Sequence, residues 1–142
     1  MLHEEHVSGL ILSIGTNDLS FIAEKDENSK ISTDVDDLIS ATAEIIKKAK
    51  ARGIRVTATN VMPKYSPKEY TEKKDKKRLV YNDWLRNCKD IDYFLDWDLL
   101  ARDPEQPAFL KEGFHQGDWL HPSVAGGLEL AESFDLKKLT GE

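Results

Sequence analysis

The chain holds a single cysteine, Cys88, among its 142 residues, which excludes an intrachain disulfide and leaves the redox compartment open. Cys88 follows Trp84-Leu85-Arg86-Asn87 with no glycine or neighbouring histidine to lower its pKa, so it reads as a half-buried packing residue and not a nucleophile. Long apolar runs are lacking as well. Leu10-Ile11-Leu12 is too short for a membrane span or a signal core, and Met1-Leu2-His3-Glu4-Glu5-His6 carries no basic leader. The chain as written shows no export signal, so a cytoplasmic location and, with a leader upstream, a secreted one both stay open. Positive charge is in deficit: the formal net charge is -6 and the pI about 5.3, which argues against nucleic acid as a partner. The one basic run, Lys73, Lys74, Lys76, Lys77 and Arg78, is broken by Asp75 and preceded by Glu72, and reads as a solvated helix face.

What is present fits one globular domain. At 39% apolar and 32% charged residues, a chain of this size can bury a core by packing alone. Val7 to Ile14 is an apolar run ending at Gly15, the pattern of a strand buried on both faces of a parallel sheet. From Asp34 to Arg52, Val35, Leu38, Ile39, Thr42, Ile45, Ile46 and Ala49 recur at helical spacing, with Ser32 or Thr33 as N-cap and Gly53 as stop. Ile54 to Thr59 is rich in β-branched residues and completes a right-handed βαβ unit. A loop with Pro63 and Pro67 leads to a second helix, Thr71 to Asn87, whose Leu79, Trp84 and Leu85 are expected to face the sheet. Ile91 to Trp97 reads as a third strand, and Ser123 to Phe134 as a last helix after a long irregular segment. The sum is an α/β architecture with three parallel strands.

In such sheets ligands bind beyond the carboxyl ends of the strands, here Gly15 to Asp18, Asn60 to Tyr65 and the loop after Trp97. Gly15 allows a sharp turn and a close approach to a ligand, and the Asn17 amide could donate to a developing oxyanion. Asp118 and His121, three residues apart, could form a carboxylate-imidazole pair that leaves Nε2 free as a base. On spacing alone, a surface histidine beside a loop-capping aspartate is an equal reading. A metal site is another: His115, Asp118 and His121 recur every three residues as N, O and N ligands for Zn²⁺. His3, Glu4, Glu5 and His6 are also ligand-like, although terminal clusters are usually solvated.

Ile14-Gly15-Thr16-Asn17-Asp18 after an apolar strand, together with Gly117-Asp118-Trp119-Leu120-His121-Pro122 and the following Gly126, Gly127, Leu130 and Ala131, resembles the GDSL-type (SGNH) serine esterases. The likeness continues through Lys50 to Val56, Asn82 to Arg86, Asp96-Trp97-Asp98 and Arg102-Asp103-Pro104, segments similar to those of one bacterial branch of the family. The resemblance implies Asp118 and His121 as acid and base of a Ser-His-Asp triad and Asn17 as an oxyanion-hole donor. It leaves Gly15 and Trp119 as pocket residues, Trp119 being as readily a packing residue. It implies no cofactor and no metal, and a small-molecule, glycan or lipid ester as substrate.

The resemblance also marks what these residues do not contain. The family's nucleophilic serine stands in a Gly-Asp-Ser block at the end of its first strand, and a second oxyanion donor, a glycine, precedes the Asn block. Neither is found here, and Ser8 and Ser13 sit in or beside the strand. Residues 1–142 therefore read as one partial domain of a flavodoxin-like, three-layer fold, with three strands of the usual five. Its expected activity alone is negligible. A non-catalytic binding remnant of the fold is the other reading. The strand before Gly15 would then be an open edge, which predicts self-association or a complementing fragment.

Overall fold

The computed structural model describes residues 6–23 and 34–142. Three strands, β1 (Gly9–Leu12), β2 (Arg55–Thr59) and β3 (Tyr93–Leu95), form one parallel sheet in the order β1-β2-β3. Leu10 stands beside Val56 and Ala58 beside Phe94. The helices are α1 (Thr16–Ala23), α2 (Val35–Lys50), α3 (Glu72–Asn87), α4 (Trp97–Ala101), α5 (Val124–Glu132) and α6 (Leu136–Thr140). Among the described residues no helix is long and apolar enough to cross a membrane.

The α/β reading holds, and α2 is built as its periodicity requires. Its buried residues are Val35, Leu38, Thr42, Ile46 and Ala49, three or four apart, on the face that packs against the sheet. The cap is Asp34, whose carboxylate accepts from the Val35 amide at 2.7 Å; the expected caps Ser32 and Thr33 lie outside the described residues. Gly53, at φ 70°, ends the helix and turns the chain into β2. From β2, Val56 and Ala58 join a core with Leu12, Leu19, Leu38, Ile46, Tyr81 and Leu85. A second cluster, Ala101, Leu110, Phe114 and Leu130, seats α4 and α5. The C-terminal segment ties back to the sheet where the Arg55 guanidinium donates to the Lys138 carbonyl at 2.9 Å and the Tyr93 hydroxyl to the Ser133 carbonyl at 3.2 Å.

Several expectations are corrected. The turn at Gly15 leads straight into α1, a helix that the sequence pattern does not announce, so Asn17 stands on its first turn. β3 is cut short because Asp96 caps α4, its carboxylate accepting from the Leu99 amide at 3.0 Å. Among the described residues β1 pairs on one side only, and Ile11 is 49% exposed, so that strand is not buried on both faces. In α3, Leu85 is buried and Trp84 half-buried, but Leu79 is 46% exposed. The inward stripe is Asp75, Arg78, Tyr81, Asn82 and Leu85, because the first half of α3 buries an ion network and only its second half, with Tyr81 and Leu85, joins the apolar core.

That network braces the carboxyl end of β2. Arg78, 1% exposed, donates from Nε to Asp75 at 2.6 Å and from Nη1 to Asp98 and to the Val61 carbonyl, the latter at 3.0 Å. Asn82 brackets Val61, accepting from its amide at 2.9 Å and donating to its carbonyl at 2.8 Å. Asn60 accepts from the Asp98 amide at 2.8 Å and donates to Asp96 at 2.7 Å. Every polar group here finds a partner, as burial demands, and the loop that follows Val61 is thereby fixed in place.

Candidate active site

The loop from Phe114 to Ser123 is closed on itself. The Ser123 amide donates to the Phe114 carbonyl at 2.8 Å, the Gln116 amide to the His121 carbonyl at 3.1 Å, and the Ser123 hydroxyl to the Gly113 carbonyl at 2.6 Å. The same hydroxyl caps α5, accepting from the Gly126 amide at 3.1 Å. Gly117 at φ 102° and Trp119 at φ 59° make the turns that such a short closure needs.

At the tip, His121 Nδ1 lies 2.6 Å from Asp118 Oδ2, while Asp118 Oδ1 accepts from the amides of Leu120 at 3.0 Å and His121 at 2.9 Å. The bond from His121, with those two amides behind it, holds the Asp118 carboxyl far below the ordinary carboxylate range. An ionised carboxylate on Nδ1 fixes the tautomer with the proton there and leaves Nε2 as the acceptor. Both side chains face solvent, His121 at 65% and Asp118 at 42% exposure. The arrangement can orient a base; in open water it can do little to stabilise charge.

His115 does not join this pair. Its Nδ1 accepts from the amides of Gly117 at 3.1 Å and Trp119 at 3.2 Å, and its ring lies 4.5 Å from the Trp119 ring. Among the described residues no three His, Cys, Asp or Glu side chains gather as a metal would require, so the His115, Asp118 and His121 reading has no geometric support. Of the terminal His3 to His6 cluster, only His6 lies within the described residues.

Two clefts flank the loop. The larger, about 470 Å³, is lined by Trp119, His115, Phe109, Leu110, Pro67 and Gln106 among others. The smaller, about 250 Å³, is lined by Asp118, Leu120, Ser20, Lys64, Tyr65, Glu69 and Lys74. It brings α1, the loop after β2 and the Asp118 loop together beyond the carboxyl ends of the strands. Asn17 is exposed one helical turn from Ser20 and makes no hydrogen bond to Asp118 or His121. Gly15 lines neither cleft. It is buried at φ 106°, where an added Cβ would stand 2.8 Å from the Tyr81 ring, so its service is to let the chain pass Tyr81 and start α1. Lys64 and Ser20 escaped the sequence reading, since a lysine in a proline-containing loop carries no signal of burial.

A profile of the GDSL-like lipase/acylhydrolase family matches residues 3–127, and the chain belongs to that family. Its fold is similar to three solved structures. A GDSL-like lipase from Bacteroides thetaiotaomicron matches at TM-score 0.69 and 17% identity, over 95% of this chain and 63% of that one. A proposed acylhydrolase from Bacteroides fragilis matches at 0.63 and 16%, over 88% and 58%. A proposed lipolytic protein of the G-D-S-L family from Desulfitobacterium hafniense matches at 0.63 and 18%, over 92% and 67%. The chain thus spans less than two thirds of the length of the first two. No curated protein matches the sequence.

Proposed function

We propose that this chain carries the acid and base of a carboxylic-ester hydrolase, Asp118 and His121, with Asn17 as an oxyanion donor. The observation that carries the reading is the 2.6 Å contact of His121 Nδ1 with Asp118, in a loop braced by its own bonds. In the reaction, His121 Nε2 takes the proton of a serine hydroxyl as its oxygen bonds to the ester carbonyl carbon. It then returns that proton to the departing alcohol, and water releases the acid by the same route. The serine is one that residues 1–142 do not present in a Gly-Asp-Ser turn, so the chain alone turns over esters negligibly. An open β1 edge with Ile11 exposed supports a strand of a second copy or a complementing fragment as partner.

The test is hydrolysis of 4-nitrophenyl acetate by the chain and by a fusion in which a Gly-Asp-Ser-bearing segment of a family member precedes Val7. The expected result is background turnover for the chain and turnover by the fusion that His121→Ala removes. Turnover by the chain itself, lost in His121→Ala, would show a nucleophile within these residues. A fusion that labels with a fluorophosphonate yet is indifferent to His121 and Asp118 would overturn the assigned roles.

A further inference from the structure

The cleft beside Asp118 holds a cation for which acyl transfer by the Asp118–His121 pair has no task. Lys64 is 7% exposed, and its ammonium donates to the Thr16 carbonyl and the Ser20 hydroxyl, both uncharged. Among the described residues it makes no ion pair, whereas Arg78, more deeply buried still, meets two carboxylates. A buried ammonium with only neutral acceptors is poorly compensated for the water it has lost. Burial accordingly pulls Lys64 down to about 8; the charge of Asp18 opposes this and that of Arg78 adds to it.

Lys64 is not alone. Its Nζ lies 5.6 Å from the centre of the Tyr65 ring and that of Lys74 lies 5.7 Å from the same ring, so two ammonium groups border one wall of the cleft. Two carboxylates also line it: Glu69, which lies within reach of the Lys74 charge, and Asp118. Glu69 is held by the Ser66 hydroxyl at 2.7 Å and the Ser66 amide at 3.4 Å, and Asp118 by His121 and two amides.

We propose that Lys64, assisted by Lys74, forms an anion subsite that receives a carboxylate or phosphate group borne by the ester substrate or its released acid. The identity of the ligand as substrate rests on the hydrolytic reading of Asp118 and His121; anion capture at Lys64 does not. An incoming oxyanion would give Lys64 the direct counter-charge that it lacks among the described residues, where Asp18 acts on it without an ion pair, and selectivity for charged over neutral esters would follow at this end of the cleft.

The experiment follows the Lys64 side-chain resonance in lysine-labelled protein, titrated with sodium acetate in one arm and inorganic phosphate in the other, against sodium chloride at matched ionic strength. The Lys64 signal is assigned by its loss in Lys64→Met. Without ligand Lys64 is expected to titrate near 8; with one of the two anions its midpoint should rise by about one unit. Affinity should fall about tenfold or more in Lys64→Met and by less in Lys74→Met. The arm that responds identifies carboxylate or phosphate as the preferred group. A Lys64 midpoint at the ordinary 10.5, or a signal that neither anion moves beyond the chloride control, would overturn the proposal. Should Lys64→Met not fold, Lys74→Met and the wild-type titration decide the matter. The readout needs no turnover, so it stands or fails independently of the hydrolysis test.

Discussion

Gly126 is the point on which the geometry of the Asp118–His121 loop turns. A Cβ built there would lie 2.2 Å from the Phe114 carbonyl oxygen and 3.1 Å from both the Phe114 carbonyl carbon and Cγ. The obstacle is backbone, and that same carbonyl accepts the Ser123 amide that closes the loop. In Gly126→Ala, α5 and Phe114 must separate by about 1 Å to reach ordinary contact, which breaks the closing bond. Overpacking of this kind costs about 1–3 kcal/mol and the lost hydrogen bond about 1 kcal/mol more. The gain in helix propensity from glycine to alanine returns about 1 kcal/mol. The net loss is about 2 kcal/mol, a fall in Tm of about 5–10 °C for a domain between the size classes usually tabulated. Gly127 provides the control, since a Cβ there meets nothing within 4 Å. Gly127→Ala should therefore stabilise by about 0.5–1 kcal/mol. Urea and thermal unfolding followed by circular dichroism measure both variants, and the His121 imidazole resonances report the loop. If Gly126→Ala were as stable as Gly127→Ala, with unchanged imidazole signals, the close approach of α5 to Phe114 would be wrong.

Removing Arg78 strands Asp75 and leaves Asp98 only its 3.5 Å ion pair with Arg102, both carboxylates being buried, so Arg78→Met should cost about 3–5 kcal/mol at neutral pH. The deficit should shrink in acid as the stranded carboxylates protonate, and an unchanged urea midpoint would refute the network. Asp118 makes a pH prediction: its folded carboxyl is held below its ordinary value of 3.8, so its contribution is present above that value and lost only as pH falls through the lower folded one. Its carboxyl carbon should therefore stay in the ionised position through about pH 3 to 5, where free aspartates titrate; a midpoint near the ordinary value would mean that the His121 contact is not formed in solution. At the sheet edge, Ile11→Lys places a charge on the open strand and should abolish concentration-dependent association in sedimentation velocity. A wild-type chain that sediments as one monomeric species at all concentrations would remove the edge as a contact surface.

The parts of the fold legible in the sequence are those in which one physical effect dominates. In α2, apolar periodicity and a terminal glycine agree, and five of the seven residues placed on the inner face are buried, Ile39 and Ile45 being half-buried at its margins, although the cap is Asp34. Three parallel strands follow from apolar or β-branched runs separated by helices. α3 was misphased because its inward stripe begins with Asp75 and Arg78: patterning assigns charge to water, and a buried ion network is invisible until the partners Asp98 and Val61, distant in sequence, are in place. Leu79, next to Arg78, was therefore turned inward when it faces out. α1, α4 and α6 are eight, five and five residues long, too short for periodicity to speak. At the site, the contact of Asp118 with His121 is one of two readings that a spacing of three residues leaves open, and it is within reach of the sequence because the bond is local. The fate of His115 was not legible. Whether it turns to His121 or into its own loop depends on the positive φ of Gly117 and Trp119. Lys64 lies beyond pattern reading altogether, since its burial comes from α1 closing over a loop that follows a different strand.

The same geometry separates two requirements of ester hydrolysis that are usually met together. Orientation is met locally: the amides of Leu120 and His121, the closing bonds at Ser123 and the packing of Gly126 on Phe114 hold Asp118 and His121, the proposed acid and base. Electrostatic stabilisation is not met, because a pair exposed at 65% and 42% works in a dielectric where oriented dipoles are worth a fraction of their value in a dry site. Supplying a serine hydroxyl in solution would leave this second deficit untouched. A free hydroxyl added as a small alcohol should therefore be turned over little better than water, whereas a segment that seats a serine beside His121 also covers the pair and excludes solvent. On the proposed reading, nucleophile and burial have to arrive on the same surface, and the edge of β1 left unpaired among the described residues is the proposed place for that surface to pair.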